Sequence, residues 1–108
     1  MGRKDTKLTP AATGTAEMLV EKLATLGDIT SRKMFGGYGI FESGSMFALV
    51  TSEGIAHLKA DDSNIAKFEK AGAKQHGRMP YYEIPASVLT NTRSLRSWAT
   101  ASLAVAKK

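Results

Sequence analysis

Arg32-Lys33-Met34-Phe35-Gly36-Gly37-Tyr38-Gly39-Ile40-Phe41 sets three glycines among aromatic and β-branched residues. Such a stretch reads as a phosphate loop, an RNA-binding strand or a tight hairpin, and each reading leads to a different protein. A dinucleotide loop needs a further glycine after the first pair and opens directly into a helix. Gly37-Tyr38-Gly39-Ile40-Phe41-Glu42 ends instead on a glutamate and runs into strand-like sequence. A Walker loop ends in Gly-Lys-Ser/Thr, which is absent here. An RNP strand asks for a basic residue, glycine, an aromatic, glycine and further aromatics on which bases stack. Gly37-Tyr38-Gly39 fits its middle, but Gly36, Ile40 and Ser43 occupy the basic and aromatic places. The stretch therefore reads as two strands reversing through Gly36-Gly37.

Working outward, apolar residues recur with a period near 2. Thr30 to Phe35, Tyr38 to Glu42, Met46 to Ser52 and Ile55 to Ala60 are expected strands. The connectors Gly36-Gly37, Ser43-Gly44-Ser45 and Glu53-Gly54 are too short for a parallel crossover, so the strands pair as antiparallel hairpins. In the fourth strand Ala56, Leu58 and Ala60 share one face, and Ile55, His57 and Lys59 share the other, which is expected to face solvent. Upstream, Ala12, Ala16, Leu19, Leu23 and Leu26 fall on one helical face. That helix starts at Thr9-Pro10 or near Thr15 and stops at Gly27. Downstream, Asp61 or Asp62 caps a helix over Ser63 to Ala71 with Ile65 and Phe68 inward. Tyr81 to Ile84 forms another strand between prolines. Thr90 or Asn91 caps a last helix striped by Leu95, Trp98, Ala99, Ser102 and Leu103. The order α-ββββ-α-β-α predicts an α+β domain with helices covering one face of an antiparallel sheet.

A chain of 108 residues, 43% hydrophobic, suits one core, expected over residues 9–106 after a disordered lead-in at 1–8. No apolar run reaches the roughly 18 residues that cross a bilayer, and no apolar signal segment follows the basic start. Those features, with no cysteine, point to a cytoplasmic protein with no membrane contact. They also exclude disulfides, thiol catalysis and Cys-based zinc sites. The formal charge of +5 lies mostly on two ends expected to fray, because residues 11–106 hold ten basic and nine acidic side chains.

Catalytic constellations are thin. His57 and His76 stand outside any helical metal-binding pattern, Asp61-Asp62 lacks the spaced oxygen ligands of a calcium loop, and no serine sits in a nucleophile elbow. The expectation is a non-enzyme without catalytic residues, cofactor or metal. Trp98 belongs to the core. The candidate interaction residues are Phe35, Tyr38, Arg78, Tyr81 and Tyr82.

The ordered segments Arg32 to Phe41, Met46-Phe47-Ala48-Leu49-Val50, Leu58-Lys59-Ala60-Asp61-Asp62-Ser63-Asn64 and Met79-Pro80-Tyr81-Tyr82-Glu83-Ile84-Pro85 resemble the TfoX N-terminal domain family. Leu95-Arg96-Ser97-Trp98-Ala99 is similar to its final helix. The resemblance implies a two-layer fold like that of type III secretion chaperones, with a curved antiparallel sheet packed on helices. It also implies kinship with positive regulators of competence genes that work alongside the cyclic-AMP receptor protein. The chain is expected to be a stand-alone domain of this type, without the family's C-terminal domain. Two departures, the abbreviated Ala73 to Arg78 segment and Pro80 where serine is common, touch any partner surface built there. The family has no established catalytic residues to carry over. The resulting expectation is a regulatory protein–protein interaction module, with a homodimer as one arrangement. The alternative is direct nucleic-acid binding through Arg32, Lys33, Arg78, Arg93, Arg96 and the basic tails.

Overall fold

The computed structural model describes residues 9–34 and 36–108. Helix α1 (Pro10–Leu23) starts at the earlier of the two expected positions. Thr9 is its N-cap, its hydroxyl accepting from the Ala12 amide at 3.0 Å, and Pro10 fills a first-turn position where no N–H is required. A short 3-10 turn, Ala24–Leu26, leads into four hairpin strands. These are β1 (Ile29–Met34), β2 (Gly37–Glu42), β3 (Ser45–Val50) and β4 (Ala56–Lys59). Helix α2 (Ile65–Lys70) follows, then β5 (Tyr81–Glu83), a single helical turn α3 (Ala86–Leu89) and α4 (Thr92–Ala106). The sheet order is β1-β2-β3-β4-β5, antiparallel throughout. The α+β layout holds, with α3 as an addition, since its four residues are too few to show a helical period.

One side of the sheet carries the core. Ala12, Ala16, Leu19 and Leu23 of α1 and Leu95 and Ala99 of α4 pack with Ile40, Phe47, Ala48, Val50, Ala56 and Leu58. A bulge sharpens this division. Ile40 pairs with Ala48 but Phe41 pairs with Met46, so Phe47 is an extra residue on β3. Phe47 and Ala48 are therefore both fully buried in the core, and Met46 is turned to the other face. Gly37 allows the tight β2–β3 approach: a Cβ there would stand 1.9 Å from the Val50 carbonyl oxygen.

Three local expectations are corrected. Asp61 and Asp62 do not cap α2. Asn64 occupies the N-cap position without a side-chain cap bond, and Asp61 instead folds an Asx turn by accepting from the Ser63 amide. Trp98 is half-buried at the margin of the core, edge-on to Phe68 at 4.9 Å and under the Lys67 ammonium at 4.8 Å. Burial lowers the pKa of Lys67. The C-terminal lysines are not a frayed tail. Lys107 pairs with Glu42, and Lys108 reaches Asp61 at 2.6 Å. The Lys107 hydrogen bond, then Ser43 and the Asp28 amide, hold Glu42 at about 2, and Lys108 does the same for Asp61. The lead-in at residues 1–8 lies outside the described residues.

One flaw stands out in the core. The Ser102 hydroxyl on α4 is fully buried and has no hydrogen-bond partner among the described residues. An unsatisfied buried hydroxyl costs about 1–3 kcal/mol, and alanine is the better helix former. Ser102→Ala is expected to stabilise the fold by about 1 kcal/mol, raising the thermal midpoint by several degrees in a calorimetric scan.

Candidate functional site on the helix-free face of the sheet

Side chains alternate across a sheet, so the residues left over by the core define a second face. Arg32, Gly39, Leu49, His57 and Glu83 are register partners across all five strands and form one row on that face. Above and below the row lie Met34 and Met46. Both thioether sulfurs crowd over Gly39, at 2.6 and 3.1 Å from where its Cβ would stand, so only glycine leaves them that place. The turn before β5 brings His76 and Met79 against the same face.

Together these residues line a cleft of about 540 Å³. Its apolar walls are Met34, Met46, Leu49, Ile55 and Met79, and its polar groups include His57, His76, Glu53 and Glu83. No lysine or arginine lines it, although the chain as a whole carries a formal charge of +5. This pocket matches in size the concave sites that hold small ligands.

His57 is the anchored group in the cleft. It is 3% exposed, and its Nδ1 lies 3.0 Å from the Ile55 carbonyl oxygen. A carbonyl only accepts, so Nδ1 carries the proton and Nε2 presents its lone pair. The His76 ring lies 5.0 Å away, tilted by 60°. Burial lowers the His57 pKa and the nearby His76 adds to this, against the Ile55 hydrogen bond and the Glu83 charge. The expectation that His57 faces solvent is thus corrected: its face was read rightly from the alternation, but the His76–Met79 turn covers that end of the face.

The four described interaction candidates do not form one surface. Phe35 lies outside the described residues. Tyr38 is half-buried at the cleft rim, its hydroxyl sharing a 3.0 Å hydrogen bond with Thr13 of α1. Arg78 is exposed in the turn before β5 and does not line the cleft. The adjacent tyrosines point to opposite faces as expected. Tyr82 packs on Phe68 on the core side, at 5.7 Å between rings. Tyr81, on the other face, is only 5% exposed, and burial raises its pKa. Neither tyrosine is therefore a free aromatic anchor.

The five cations proposed for nucleic acid are also dispersed. Arg32 sits on edge strand β1, 5.0 Å over the Phe41 ring, with Lys33 on the opposite face of that strand. Arg78 lies beyond β5, at the other edge of the sheet. Arg93 is exposed in the first turn of α4, and Arg96 donates from Nε to the Lys22 carbonyl at 2.9 Å. Sequence reasoning weighed His57 and His76 and set them aside, and it did not single out Met34, Met46 or Met79 as site residues. Among the described residues no three His, Asp or Glu side chains group closely enough to hold a metal ion. None of the described helices is long and apolar enough to cross a membrane.

The architecture is that of a small α+β domain, a five-stranded meander closed on one face by its two long helices. The family model of the TfoX N-terminal domain matches residues 21–106, and the chain belongs to that family. A search of curated proteins finds no match.

The buried neutral imidazole ties stability to pH. A group whose folded pKa lies below its unfolded value of 6.5 binds more protons when unfolded. Its contribution to stability is then complete above about pH 6.5 and declines as pH falls toward the folded pKa. Urea midpoints are expected to decrease from pH 7 to pH 5. His57→Gln should flatten that decrease, and His76→Gln should leave most of it.

Proposed function

We propose that the chain is a non-enzymatic protein-interaction module with a regulatory role, as befits a relative of competence regulators. The observation that carries this reading is the unequal treatment of the two sheet edges. Beyond β5 the chain closes its own edge. The Glu83 amide donates to the Lys74 carbonyl at 2.9 Å, the His76 amide donates to the Tyr81 carbonyl at 2.8 Å, and Gln75 bridges to Tyr82. Among the described residues, nothing does so beyond β1. Among the described residues, Thr30 to Met34 make no backbone hydrogen bond except to β2. Thr30, Ser31, Arg32 and Lys33 are all exposed.

An open edge of six residues is a template for a further strand. Its charge selects the partner. Pairing β1 with β1 of a second copy would gather four cations along one ladder, and like charges that close are destabilising. An extended acidic segment of another protein meets Arg32 and Lys33 with opposite charge and adds main-chain hydrogen bonds. The partner is thus a different protein rather than a second copy.

The test compares the full chain with the double reversal Arg32→Glu/Lys33→Glu in nuclease-treated capture from cytosol, alongside sedimentation. The wild type should sediment as a monomer and retain an acidic partner, and the reversal should reduce that retention at least tenfold while leaving the melting curve in place. Capture that disappears with nuclease treatment would favour nucleic-acid binding. A dimer indifferent to the reversal would contradict the assignment.

A further inference from the structure

Three of the chain's five methionines and both of its histidines line one cleft, although they are scattered between positions 34 and 79. None of these methionines belongs to the core cluster, and Met79 is 42% exposed. The usual reason for methionine, filling irregular gaps in a core, therefore does not account for them. We propose that this cleft is a binding site for a soft monovalent metal ion, copper(I), held by imidazole and thioether donors drawn from His57, His76, Met34, Met46 and Met79.

The donor types carry the choice of ion. Thioether sulfur is a soft ligand that selects copper(I), whereas zinc sites draw on thiolate, imidazole and carboxylate, and calcium and magnesium on oxygen. The chain has no cysteine, and no three His, Asp or Glu groups assemble among the described residues. A site built for a borderline or hard ion thus lacks its ligands here, while nitrogen and thioether donors are concentrated. The Met34 and Met46 sulfurs already flank a single spot over Gly39. Methionine has three rotatable side-chain bonds, so these sulfurs and that of Met79 are adaptable donors along the cleft.

His57 is arranged as metal-bound histidines are. Its Nδ1 proton is tied to the Ile55 carbonyl, which fixes the tautomer, orients the ring and leaves Nε2 as a bare donor. Burial favours its neutral form, the form that ligates. Electrostatics points the same way, since Glu53 and Glu83 are the charged side chains lining the cleft. Binding is simple coordination: copper stays in the +1 state and no bond of the protein breaks.

The site takes the Met34 thioether at the end of β1 but not the strand's outer backbone edge, so the two assignments fail independently. The test is anaerobic competition between the full chain and the chromophoric copper(I) chelator bicinchoninate, with zinc(II) as comparison ion. The wild type should withdraw one equivalent of copper(I) and hold zinc far more weakly. Met79→Leu and Met34→Leu/Met46→Leu keep the apolar volume but remove soft donors, and each should weaken copper retention at least tenfold. His76→Gln, in a surface turn, should do the same with an unchanged melting curve, and Arg93→Gln, exposed on α4 and outside the cleft, should bind copper as the wild type does. Failure to withdraw copper, retention undiminished in the leucine variants, or zinc held as tightly as copper would overturn the assignment.

Discussion

Helices α1 and α4 press Leu19, Leu23, Leu95 and Ala99 onto Ile40, Phe47, Ala48, Val50 and Leu58, all on one side of a five-stranded sheet. Each long helix, of 14 and 15 residues, can cover only a few strands, and among the described residues no other long helix covers the opposite side. The opposite face must therefore be managed by its own side chains. It is managed unevenly. The turn carrying His76 and Met79 folds back over the β4–β5 end, Met34 and Met46 lean over Gly39, and between them a cleft is left. The cleft is the remainder of a fold closed on one face.

Two backbone details decide what that remainder contains. The bulge at Phe47 sends both Phe47 and Ala48 into the core and re-aims Met46 outward. Without the extra residue, the alternation would reverse for every position of β3 before it. Gly39 is the second detail, because a side chain there would occupy the place of the two sulfurs. The glycine-broken stretch thus supplies more than a reversal. It tightens β2 against β3 at Gly37 and opens the floor of the cleft at Gly39. At the ends, Lys107 on Glu42 and Lys108 on Asp61 tie the last turn of α4 to the sheet and to the β4–α2 connection.

Most of the fold was legible in the sequence because its signals are local. Thr9-Pro10, Asn91 and the spacing of Leu19 and Leu23 report helix positions, and two- and three-residue connectors force hairpins. The family was legible from the order of four segments. The site was not, for reasons that are equally physical. His57 could be assigned to a face by alternation, but its burial depends on a turn 20 residues further along the chain. Met46 reaches the cleft only through a bulge, and a bulge has no reliable pattern in a single sequence. The tyrosine pair drew attention as adjacent aromatics, yet Tyr82 is committed to Phe68 and Tyr81 is covered. Donors gathered from positions 34, 46, 57, 76 and 79 have no spacing by which a motif could be recognised.

The copper(I) cleft proposed on the helix-free face stands apart from the helix-covered side. Methionine methyl groups report on both, since Met18 packs against the core cluster while Met34, Met46 and Met79 line the cleft. The most direct measurement is a carbon-13 methyl and histidine-ring NMR titration of the full chain with silver(I), a redox-inert stand-in for copper(I). The cleft methyls and both imidazoles should shift together and saturate at one equivalent, with Met18 unmoved. Shifts that spread evenly to Met18, or that leave His57 and His76 in place, would contradict it.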